Sequence, residues 1–230
     1  MGGAGRIALN CNVQTAVDHM RNLPMRRAQI SFIVIAALTF ALAACNPGAK
    51  TTTVTSDDMG LGNAASKVTV IEYASASCPH CAEFNNTVFP AFKSQFIDTG
   101  KIHYVFREFL TPPQDVAAAG FLTARCAGKD KYFSVLDAIY RGQAAMYQSG
   151  DVHGTLLRIA QSAGLTEPQF TACINDPKAI QALSDRVETY AKRDNITGTP
   201  TFIINGKTLD GEQSLASLTT AIAAAQAAAK

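Results

Sequence analysis

No tryptophan occurs among the 230 residues, histidine occurs only four times, and neither sign of charge dominates. The formal charge is +2, but residues 1–44 hold Arg6, Arg21, Arg26 and Arg27 against a single Asp18. Setting that +3 aside leaves −1 for the rest, so the basic excess that nucleic-acid binding needs is missing. The longest apolar run, Ile30 to Ala44, is about 15 residues, short of the ~20 that cross a bilayer. No internal repeat is visible, and the length allows one or two ordinary domains. The six cysteines include one CxxC pair and no second, and no HxxxH accompanies it. Cys126, Cys173 and His103 stand singly, so the four ligands of a structural zinc site are not supplied.

What the N-terminus does have is an address. Met25 is followed by Arg26 and Arg27, then by the apolar run and small residues, the order of an export signal. Residues 1–24 read as an over-extended start, and residues 1–44 as a removable segment. The run ends in Leu42-Ala43-Ala44-Cys45, which resembles a bacterial lipobox. That resemblance implies that Cys45 becomes the first mature residue and carries the lipid. The alternative is ordinary cleavage after Ala43, releasing a soluble protein with an odd thiol. Residues 46–66 are rich in Thr, Ser, Asp and Gly, and read with Cys45 as a flexible tether.

From Val68 the pattern becomes that of a folded domain. Val68 to Ala74 is β-rich and suits a strand buried on both faces. A helix is expected next, with Phe84, Val88, Phe92 and Phe96 spaced by four and a kink at Pro90. Ile102 to Phe109 reads as a second strand, completing a βαβ unit over residues 67–112. Residues 113–195 read as all-helical, with segments at Val116–Cys126, Tyr132–Tyr140 and Leu156–Ala163. Thr166 with Gln169 predicts a capping box, and Asp176-Pro177 opens a helix with Ile180, Leu183, Val187 and Tyr190 in a stripe. Residues 196–230 return to strands at Thr201–Asn205 and Thr208-Leu209, then close with an Ala-rich helix.

The chemistry is concentrated in Cys78-Pro79-His80-Cys81, at the junction of the first strand and its helix. Two intervening residues place the sulfurs one helical turn apart, within bonding reach. Cys78 falls at the helix N-terminus, where unpaired N–H groups and the dipole favour a thiolate, and a protonated His80 would add to this. A more acidic nucleophile stabilises the dithiol over the disulfide, which makes the pair an oxidant.

A βαβ unit, a helical insertion and a ββα unit make up the thioredoxin fold with an inserted helical subdomain. With CPHC at the strand–helix junction, Glu72 six residues before Cys78, and Gly198-Thr199-Pro200 ahead of a strand, residues 60–228 resemble the DsbA-type periplasmic thiol:disulfide oxidoreductases. The resemblance implies a cis proline at Pro200 that, with Thr199, exposes backbone for an extended substrate. It also implies that Glu72 is a buried acid passing protons to Cys81; a satisfied structural glutamate is the equal alternative. No cofactor beyond a Cys78–Cys81 disulfide is implied. The implied partners are reduced or unfolded exported proteins and a DsbB-type membrane protein that restores the disulfide. Cys126 and Cys173 remain as a pair, expected to form a structural disulfide in an oxidising compartment, with two free buried thiols as the alternative. A monomer is expected, since residues 46–66 are too short and polar for a dimerisation domain. Thr199 before Pro200 is a feature of isomerase-type relatives, which keeps isomerisation open beside oxidation.

Overall fold

A computed structural model describes residues 53–229; the export signal, Cys45 and residues 46–52 of the expected tether lie outside the described residues. Five strands form one mixed sheet in the order β1-β3-β2-β4-β5. At its centre β2 (Thr69–Ala74) runs parallel to β3 (His103–Glu108), with Thr69 against His103 and Ala74 against Glu108. β4 (Thr201–Ile204) lies antiparallel on the other side of β2 and places Phe202 opposite Glu72. β5 (Lys207–Asp210) completes that edge.

The opposite edge is β1 (Met59–Gly62), antiparallel to β3. This corrects the expectation of a flexible tether through residue 66: residues 53–66 carry an edge strand and a buried ion pair. Their polar composition hid both. The strand contributes only Met59 to the buried core, and Asp58 is buried because Arg107 meets it.

Alternation along the central strands divides their side chains between two cores. Val70, Ala74, Tyr104, Phe106, Phe202 and Ile204 enter the larger one, and Ile71, Tyr73, Val105 and Ile203 the smaller. The expected kinked helix is instead interrupted. α1 (Pro79–Thr87) ends at Val88, α2 (Phe89–Phe92) follows, and residues Lys93–Ile97 form a π turn. Pro90 falls in the first turn of α2, where its missing N–H leaves no helical bond unmade. Phe84, Phe92 and Phe96 are still buried on one side.

Five helices stand between β3 and β4: α3 (Gln114–Cys126), α4 (Tyr132–Ser149), α5 (Val152–Ser162), α6 (Glu167–Ile174) and α7 (Pro177–Asp194). The Thr166–Gln169 capping box is formed, and Asp176 caps α7 ahead of Pro177. α4 runs past Tyr140 to Gly150, whose φ of 72° ends it in the left-handed region. Its buried stripe of Val135, Leu136, Ile139 and Tyr140 continues through Gln143 and Met146. In α7, Leu183 and Tyr190 are buried as expected, but Ile180 faces solvent. α8 (Leu215–Ala228) packs on β4 through Leu218 and Ile222. Cys126 and Cys173 are paired with Cα atoms 6.4 Å apart, tying the end of α3 to α6.

Candidate active site

Cys78 is the N-cap of α1 and Pro79 its first residue, so the CPHC motif opens the helix directly from β2. The intervening Ser75-Ala76-Ser77 turn is buried and cross-tied. The Cys78 N–H donates to the Ser75 carbonyl at 3.1 Å, and the Ser77 hydroxyl pairs with Thr111 at 2.9 Å. α3 crosses closely here: a Cβ at Gly120 would meet the Ala76 Cβ at 2.9 Å, so this contact needs glycine. Two side chains of α4 hold the turn from the other side. Buried Gln143 donates to the Ala76 carbonyl at 2.9 Å and to the Cys78 carbonyl at 3.3 Å, and Tyr147 donates to the Ser77 carbonyl at 3.3 Å. The inserted helices therefore position the motif as well as covering it. Sequence reasoning missed Gln143 and Tyr147; the available signal was a glutamine interrupting an apolar stripe.

The two cysteines are unpaired in this structure and differ sharply. Cys78 is 6% exposed and Cys81 not at all. The Cys78 thiol is lowered to about 5, chiefly because Cys81 donates a hydrogen bond to it, with burial opposing. Smaller contributions come from Thr199 and the backbone N–H groups of Cys81 and His80. Burial pushes the Cys81 thiol far above the usual thiol range, and the neighbouring Cys78 charge adds to this. His80 acts on the Cys78 sulfur through its backbone N–H. Its imidazole turns instead to Glu212, with Nδ1 2.7 Å from Oε1.

Thr199-Pro200 is a cis peptide, and the Thr199 carbonyl lies 3.5 Å from Cys78 Sγ. The buried Thr199 hydroxyl makes no hydrogen bond among the described residues. A second cis bond, Pro112-Pro113, was not signalled by the sequence. Glu72 lies in the larger core, 3% exposed, and accepts one hydrogen bond from the Tyr104 hydroxyl at 2.6 Å. Burial raises its carboxyl to about 7, against which the Tyr104 bond acts weakly. A cavity of about 20 Å³ adjoins Glu72, Tyr104 and Tyr140. Cys126 and Cys173 stand apart from this site as a pair.

Comparison with known proteins agrees with this geometry. Residues 54–224 match the thioredoxin family. A Rickettsia conorii protein with a provisional protein-disulfide oxidoreductase name is 37% identical over 182 residues, which cover 77% of this chain and 65% of that one. The chain thus spans just under two thirds of that relative's length. Disulfide bond formation protein D of Bacillus subtilis is 23% identical over 65% of this chain and 68% of its own. The crystal structure of Wolbachia pipientis alpha-DsbA1 superposes with a TM-score of 0.71 at 28% identity, covering 79% of this chain and 96% of the other. A CxxC at a strand–helix junction, a cis proline beside it and helices inserted between β3 and β4 all belong to one architecture: the chain is a member of the thioredoxin family, of DsbA type.

Proposed function

We propose that the protein is a thiol:disulfide oxidoreductase that donates the Cys78–Cys81 disulfide to reduced exported proteins. The observation that carries this is the asymmetry of the two thiols, one lowered to about 5 and the other raised by burial. A substrate thiolate attacks Cys78 Sγ, a substrate–Cys78 bond replaces the Cys78–Cys81 bond, and Cys81 leaves with the electron pair. Because Cys81 binds a proton tightly, it is protonated as it leaves, and Glu72 is the proposed donor. A second substrate thiolate then attacks the substrate sulfur of the mixed disulfide and releases Cys78. An acidic thiol is a good leaving group, which drives the reaction toward oxidised substrate. Two substrate thiols become a disulfide and the protein disulfide becomes a dithiol.

By this reading the only redox group is the protein's own disulfide, and a DsbB-type membrane partner restores it. The place of work is the periplasm, with Cys45 as the lipid anchor. Among the described residues no helix is long and apolar enough to cross a membrane. Cys45→Ser should move the protein from the membrane to the soluble fraction, and an unchanged distribution would exclude the anchor. Isomerisation is a second reading, favoured by the buried, unpartnered Thr199 hydroxyl beside the cis proline. Paired assays with reduced and with scrambled ribonuclease separate the two. Fast oxidation with poor unscrambling supports donation. The opposite pattern reverses the assignment, and Thr199→Val should then shift the activity toward oxidation. A third possibility, a thioredoxin-fold binding lipoprotein, predicts no two-electron transfer to a dithiol peptide.

A further inference from the structure

Glu212 has no part in the exchange chemistry of the two cysteines, yet it reaches the active-site dipeptide. It follows Gly211, whose φ of 77° turns the chain out of β5 and whose N–H donates to the Pro200 carbonyl at 2.9 Å. That bond ties the turn before α8 to the loop whose Thr199 carbonyl faces Cys78. From this turn Glu212 Oε1 approaches His80 Nδ1 at 2.7 Å, the one side-chain hydrogen bond of His80 among the described residues. The side chains are 70% and 44% exposed, so burial does not force them together. Cys78, the proline loop, the 211–212 turn and His80 form a closed circuit around the Cys78 sulfur.

We propose that Glu212 is a positioning residue for the Cys78–Cys81 couple: it holds the His80 ring and sets a carboxylate beside it, keeping the couple less oxidising than CPHC alone would be. The inference rests on the proposed roles of Cys78 and Cys81. Its electrostatic sign does not depend on the protonation state of His80. With glutamine at 212, the net charge beside Cys78 is either unchanged or more positive, by up to about one unit. A more positive neighbourhood favours the thiolate, and with it the dithiol. The freed imidazole can also swing toward Cys78, which Glu212 now prevents.

The reaction to read is protein dithiol plus oxidised glutathione giving the Cys78–Cys81 disulfide plus two reduced glutathione molecules. Two thiol hydrogens pass from the protein to glutathione, and one S–S bond replaces another. Wild type, Glu212→Gln, His80→Ala and the double variant are equilibrated with glutathione, and the Cys78 thiolate is titrated by its ultraviolet absorbance. Glu212→Gln should favour the dithiol by about two- to fivefold, the range of an exposed pair, and lower the thiolate midpoint. Both effects should be largely lost in the His80→Ala background and reduced by high salt. An undiminished effect without His80 would mean that Glu212 acts on Cys78 directly, which overturns the pairing. No shift in either background overturns it as well, leaving an inert surface contact. A wild type that does not exchange with glutathione would overturn the parent reading and this inference with it. That outcome is recognisable because it precedes any comparison of variants.

Discussion

The sheet buries Arg107 on one face and Glu72 on the other, and the two are treated in opposite ways. On the smaller-core face Arg107 is fully buried, and all five of its N–H donors are used. Nε and Nη2 meet both oxygens of Asp58 at 2.9 Å, Nη1 meets Asp194 at 3.0 Å and Tyr73 at 3.2 Å, and Nη2 also meets the Thr53 carbonyl at 2.8 Å. The Tyr190 ring covers the guanidinium at 4.4 Å. On the larger-core face Glu72 has no cationic partner and one hydrogen bond, from Tyr104. The first arrangement satisfies a fixed charge and joins residues 53–58, β3 and α7. The second leaves a carboxyl that burial holds near neutral, able to take or release a proton at physiological pH.

The largest effect should come from breaking the satisfied face. Arg107→Met would leave Asp58 buried without the cation it pairs with, and Asp194 with Arg193 alone, at a cost of about 3–5 kcal/mol. Denaturant unfolding at pH 7 measures this, and a loss below ~1 kcal/mol would show the network to be solvent-relaxed.

Glu72→Gln should do the reverse. With its carboxyl raised from an ordinary 4.5 to about 7, the folded protein keeps a proton that the unfolded chain has lost between those values. Wild-type stability therefore falls as pH rises from 4.5 through about 7 and levels off above it, by about 3 kcal/mol in all. Glu72→Gln should remove most of that slope, so that the variant gains stability relative to wild type at pH 8, while the mixed disulfide forms more slowly. Parallel stability curves from pH 4 to 8 would show that Glu72 is an ordinary structural residue.

The comparison extends to the sulfurs, where the sign reverses. The Cys78 thiol, at about 5 in the folded reduced protein, lies below its ordinary 9. The stabilisation it gives the reduced form is complete above about 9, partly present at neutral pH, and lost as pH falls to about 5. After allowance for solvent screening it amounts to about 2 kcal/mol at pH 7. Unfolding of the reduced and oxidised proteins at pH 7 and pH 4.5 should show the reduced form's advantage shrinking at the lower pH. Alkylation at pH 5–6 should label Cys78 and spare Cys81; equal labelling would cancel the asymmetry.

Much of the larger-core face was legible in the sequence, because local rules decide it. The β-rich run into CPHC, the capping box at Thr166 and the proline after Asp176 each carry their own mechanism, and the structure places them as those rules require. The smaller-core face was not legible. Arg107 reads as a polar residue ending a strand, and its partners lie in segments far apart in the chain. Asp58 sits in a tract whose composition argues for disorder, and only the long-range pairing with β3 and Arg107 overrides it. Gln143 and Glu212 were hidden for the same reason: each acts on the motif across more than sixty residues of chain, and neither belongs to a local pattern.

The smallest effect isolates the one hydrogen bond that Glu72 keeps. A donor to a carboxylate favours its charged form, so the Tyr104 hydroxyl holds Glu72 below the value burial alone would set. Tyr104→Phe keeps the ring, which packs against Phe89 and Phe92, and removes only the donor. Glu72 should then titrate above about 7, and the descending limb of the stability curve should move to higher pH with it. The added loss at pH 8 relative to pH 4 should be about 1 kcal/mol, the equivalent of somewhat less than one pH unit. Tyr140→Phe is the matched control, because the Tyr140 hydroxyl adjoins the same cavity but forms no hydrogen bond. It should leave the titration of Glu72 in place. Equal shifts in both variants would mean that the cavity's general polarity, rather than the Tyr104 bond, tempers the buried acid.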